Sequence, residues 1–76
     1  MFIKVAYLTI VDSNVVGMDF KKRVYIHKTK GQAGLTKRKL MRGFEEAYDS
    51  GELDRGDIII YTRPTINPKY TRMLVY

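Results

Sequence analysis

Nine of the fourteen cationic side chains of this chain lie within residues 21–42: Lys21, Lys22, Arg23, Lys28, Lys30, Lys37, Arg38, Lys39 and Arg42. No carboxylate interrupts them. Lysine and arginine donate charge-assisted hydrogen bonds to carboxylate and phosphate oxygens, so the chemistry on offer is recognition of an acidic partner. Tyr25 and His27 alternate with Lys21 and Arg23, and cations interleaved with aromatics also suit phosphates and stacked bases. A second group, Arg63, Lys69, Tyr70 and Arg72, surrounds Pro64 and Pro68. Arginine and tyrosine are common interface anchors, and a proline-bearing loop presents them at low entropic cost.

Catalytic chemistry has no comparable constellation. There is no cysteine, which excludes disulfides and thiolate metal sites. His27 is the single histidine, so a multi-histidine metal site within one chain is excluded. A general base at His27 would need a partner that the sequence does not place. Glu45 and Glu46 are adjacent and point to different parts of a helix surface, a poor acid/base pair. Residues 31–39, GQAGLTKRK, fail the phosphate-loop pattern, which needs four residues between its glycines and then Gly-Lys-Ser/Thr. The recognition motif of RNA-binding sheets, zinc-finger spacing and a leucine-zipper repeat are all absent. The expectation is a non-enzyme without cofactor or metal.

The elements that must hold these residues can be read from periodicity. Seventy-six residues make one small domain. Phe2 to Val11 is apolar on both faces and predicts a central strand. Met18 to Lys28 alternates, with Phe20, Val24 and Ile26 on one face and Lys21, Arg23, Tyr25 and His27 on the other, solvent-facing side. Leu40, Met41, Phe44, Ala47 and Tyr48 predict an amphipathic helix from about Lys37 to Ser50, with Thr36 as its N-cap and Gly51 as its stop. Asp57 to Thr62 reads as a third strand, Pro64 and Pro68 as loop punctuation, and Tyr70 to Tyr76 as a fourth strand. The predicted fold is α+β, a single domain of ββαββ order, with an antiparallel sheet and one amphipathic helix on one face.

Charge is unevenly spread over that plan. The chain carries a net +6 with a pI near 9.7, yet residues 45–57 hold Glu45, Glu46, Asp49, Glu52, Asp54 and Asp57 against Arg55 alone. The expected helix would open on Lys37, Arg38 and Lys39 and close on acids, opposite to what its dipole favours. A bound anion at its start would reverse that penalty. The expected primary contact is therefore Lys21, Arg23, Tyr25, Lys28, Lys37, Arg38, Lys39 and Arg42, with Arg63, Lys69, Tyr70 and Arg72 as a second surface.

The whole-chain plan resembles the small, early-expressed host-takeover proteins of large lytic phages. The likeness lies in a strand at MFIKVAYLTI, a charged second strand FKKRVYIHK and one short helix in LTKRKLMRGFEEAYDSGEL. It implies a compact, non-catalytic protein that binds and redirects a host machine such as RNA polymerase, a nucleoid protein or an ATP-dependent protease. It transfers no functional residue. The expected function is docking of a basic surface onto an acidic surface of a larger protein, the alternative being DNA or RNA binding by the same surface. No secretory signal or membrane span is recognisable, so a cytoplasmic protein is expected. A C-terminal strand ending in MLVY at a sheet edge would support a dimer.

Overall fold

The computed structural model describes residues 3–15 and 21–74. Three strands, β1 (Ala6–Ser13), β2 (Lys22–His27) and β3 (Ile58–Thr65), form one antiparallel sheet in the order β2-β1-β3. A long helix α1 (Lys30–Asp49) connects β2 to β3, and a single turn α2 (Pro68–Thr71) follows β3. The fold is a small α+β arrangement, elongated to 50 × 22 × 17 Å.

β1 is central because it is apolar on both sides. Leu8, Ile10 and Val11 are all within 2% of full burial, and such a strand loses most by lying at an edge. β2 and β3 both run antiparallel to β1 and are therefore parallel to each other. Parallel strands need a crossover, and α1 supplies it by passing over β1. The contact is fixed by a buried hydrogen bond in which the Thr9 hydroxyl donates to the Ala33 carbonyl at 2.8 Å.

That bond identifies the covered face. Thr9 lies opposite Tyr25 on β2 and Thr62 on β3, and Val11 opposite Arg23 and Ile60. Partners directly across a ladder share a face, so Arg23, Tyr25 and His27 lie on the side under α1. The expectation that this row faces solvent fails for Tyr25 and His27, which are half-buried, and holds for Lys21 and Arg23, which are exposed. Alternation separates two faces but does not say which one a helix will cover. The other face holds Leu8 and Ile10 with Ile26, Val24, Arg63 and Tyr61.

Four further boundaries differ. α1 begins at Lys30 rather than Lys37, because Thr29 is the N-cap: its hydroxyl accepts from the Gln32 amide at 3.2 Å. The Gln32 side chain reaches back to accept from the Lys28 amide at 3.3 Å, so Thr29-Lys30-Gly31-Gln32 works as a variant of the capping box. Gly31 and Gly34 are helical, and Lys37, Arg38 and Lys39 lie beyond the opening turn, so no anion at the helix start is held by them. The expected fourth strand is instead α2 and the turn after it, through Leu74; Val75 and Tyr76 lie outside the described residues. Asn67 caps α2 by accepting from the Lys69 amide at 3.0 Å, with Pro68 in the first helical position. Pro64 lies inside β3, an edge strand, where a missing N–H is tolerated. Of the expected first strand, Phe2 lies outside the described residues, and the observed strand begins at Ala6. Met18 to Phe20 also lie outside.

The far end of α1 closes as expected. Gly51 adopts φ 84°, the left-handed conformation that ends helices at low steric cost.

Candidate docking site

The topology sorts charge by length along the molecule. α1 starts where β2 ends, next to the start of β1, the end of β3 and the short α2. This end collects Lys4, Lys28, Lys30, Lys37, Arg38, Lys39, Arg63, Lys69 and Arg72. Among the described residues it holds no carboxylate. Asp12, Glu45, Glu46, Asp49, Glu52, Asp54 and Asp57 all lie toward the other end, where β1 finishes, α1 finishes and β3 begins.

The expected contact residues are thereby divided. Arg38, Lys39 and Arg42 project from α1, all exposed, whereas Lys37 is half-buried. Successive helical residues are turned by about 100°, and so they serve different flanks. Lys39 joins Lys28 on the β2 side, and Arg38 and Arg42 flank β3. Lys21 and Arg23 are left behind. They sit at the opposite end of β2 from Lys28, about 23 Å (Lys21) and about 17 Å (Arg23) along an extended chain, beside the acidic half of α1. Tyr25 is half-buried beneath the helix. Conversely, Arg63, Lys69 and Arg72, expected as a separate surface, belong to the same end as the helical cations. Tyr70 is half-buried, with the Lys69 ammonium 5.6 Å from its ring centre.

Sequence reasoning missed the apolar part of this end. Leu35, Ile66 and Met73 are 53%, 65% and 65% exposed. Leu35 lies off the stripe formed by Ala33, Leu40, Phe44 and Ala47, and that displacement was a readable signal. Leu35, Met73, Leu74 and Ile26 line a groove of about 590 Å3 between β2, α1 and the chain after α2, with Lys28 and Lys39 also in its lining. His27 also lines it. Its Nε2 is buried and has no hydrogen-bond partner among the described residues, and burial pushes its pKa below the ordinary 6.5. The imidazole is thus neutral near pH 7 and does not add to the charge around it.

An apolar floor with cations around it can hold a surface that is itself apolar at the centre and acidic around it. Long-range attraction brings the two together, and desolvation of the centre holds them. Among the described residues, no group of three or more His, Cys, Asp or Glu is placed to hold a metal ion. Among them, too, no helix is long and apolar enough to cross a membrane. No protein-family model, curated protein or solved structure matches the chain.

Proposed function

We propose that the chain is a non-catalytic binding protein of the cytoplasm that docks its basic end on an acidic surface of a larger protein and modulates that protein. The observation that supports this reading is the composition of that end: nine cations, no described carboxylate, and exposed Leu35, Ile66 and Met73 among them. The resemblance in plan to host-takeover proteins points the same way. Nucleic acid is the competing partner, because phosphates would also be drawn to this end. The apolar side chains favour protein, since a phosphate backbone offers nothing to bury against them.

Two substitutions separate these partners. Lys39→Glu with Arg72→Glu removes charge, and Leu35→Ser removes apolar surface while keeping charge. A stoichiometric partner recovered from nuclease-treated lysate should be lost with both changes. Mixed-sequence DNA and RNA, titrated across salt in gel shifts, should bind weakly. If nucleic acid binds tightly with affinity falling steeply against log salt, and Leu35→Ser leaves that unchanged, the protein-docking reading is wrong.

A further inference from the structure

The two edges of the sheet are built differently. β2 carries Lys22 and Arg23 within the strand and exposed Lys21 just before it, and charged edge residues discourage pairing with another strand. β3 is paired only with β1 among the described residues. Its opening Ile58-Ile59-Ile60-Tyr61 is uncharged and strongly β-forming. Such an edge presents unpaired backbone N–H and C=O groups to any strand that can reach it. Pro64, with no N–H, limits the usable stretch to the residues before it.

A groove of about 390 Å3 runs along this edge between β3 and α1. Ile58 and Ile60 contribute apolar surface to it, while Arg38, Arg42 and Arg55 bring three guanidiniums against a single carboxylate, Glu45. Arg55 stacks over the Tyr48 ring at 5.1 Å from its centre, which holds its charge at the groove. On the opposite face of the same strand, Ile59 is 51% exposed, in line with Tyr61.

We infer that β3 takes an extended segment of another protein as a fourth strand, and that this segment alternates acidic with aliphatic residues. Side chains alternate across a strand. Acidic residues on the α1 side meet the three arginines, and aliphatic ones on the other side cover Ile59 and Tyr61. Backbone pairing supplies affinity and the alternating side chains supply choice of partner. A second copy of this chain is a poor occupant: β3 contains no acid to meet the three arginines of the groove and would bring Arg63 beside them. The site lies on the other flank of α1 from the groove of the basic end, shares only Arg38 with the cations of that end, and stands without that reading.

The test is a labelled synthetic peptide alternating glutamate and valine, titrated against the full chain by fluorescence anisotropy. Saturable binding is expected, weakened at least about tenfold by Arg42→Glu with Arg55→Glu, with circular dichroism confirming that this variant is folded. Lys39→Glu with Arg72→Glu should leave the affinity within about twofold, which separates this site from the basic end. N-methylation of one alternate set of peptide amides should abolish binding, and of the other set should spare it. The inference is overturned by any of three results. These are equal binding of a lysine-for-glutamate peptide, indifference to N-methylation, or no saturation at about 1 mM. It is also overturned if sedimentation of the chain alone shows dimers formed through β3.

Discussion

The two ends of the molecule share one frame, β1 and α1, and use their polar groups in opposite ways. At the acidic end the chain satisfies itself. The Asp57 carboxylate accepts from the Asp54 amide at 2.9 Å, the Asp57 amide donates back to the Asp54 carbonyl at 2.9 Å, and the Asn14 amide donates to the Asp57 carbonyl at 2.9 Å. The Leu53 amide donates to the Ala47 carbonyl at 3.2 Å, tying the loop to the last turn of α1. At the basic end, by contrast, Arg38, Lys39, Lys69 and Arg72 are exposed among exposed apolar groups. Hydrogen bonding ties one acid side chain, Asp57, into a loop at one end, whereas Arg38, Lys39, Lys69 and Arg72 at the other stand exposed.

The largest change should come from breaking the frame that both ends share. Leu8 is fully buried in the central strand, and Leu8→Ala should cost about 3 kcal/mol of stability. Urea unfolding checks the magnitude. Amide exchange checks that Ala33 and Asn14, at opposite ends, lose protection together; independent loss would mean that the ends are not held by one core.

Glycine replacements sharpen the contrast with smaller, opposite effects. Gly34 lies in α1 on the basic side with nothing near its missing Cβ, so Gly34→Ala should stabilise by up to about 1 kcal/mol through helix propensity. Gly51 on the acidic side also has open space, but its φ of 84° disfavours any side chain. Gly51→Ala should therefore destabilise by about 1 kcal/mol. Melting temperatures shifted in the same direction would contradict the different roles assigned to the two glycines.

The smallest effect belongs to His27. Burial lowers its pKa in the folded chain below 6.5, so the unfolded chain binds a proton first as pH falls. The contribution of neutral His27 is present above pH 6.5 and is lost progressively below it. Thermal melts between neutral and mildly acid pH should show a decline that His27→Gln removes. A decline of equal size in the variant would assign the acid sensitivity to other groups.

Much of this molecule follows from properties local to the chain. The two-sided apolar run in β1 required a central strand, the stripe through Leu40, Phe44 and Ala47 required a helix, and Gly51 marked its end. The change of sign between residues 21–42 and 45–57 was equally visible. Thr29-Lys30-Gly31-Gln32 and Asn67-Pro68 also carried readable caps, although stronger-looking signals at Thr36 and in the apolar residues 73–76 competed with them. The arrangement in space was decided elsewhere. Pairing of Thr9 with Tyr25, and the bond from Thr9 to Ala33, put Tyr25 and His27 beneath the helix, half-buried, while Lys21 and Arg23 of the same row stay exposed. The crossover carried Arg63, Lys69 and Arg72 to the start of α1 while leaving Lys21 and Arg23 at the other end. Periodicity and charge are set by neighbours a few residues away; which face is covered, and which cations meet, is set by contacts between residues dozens of positions apart.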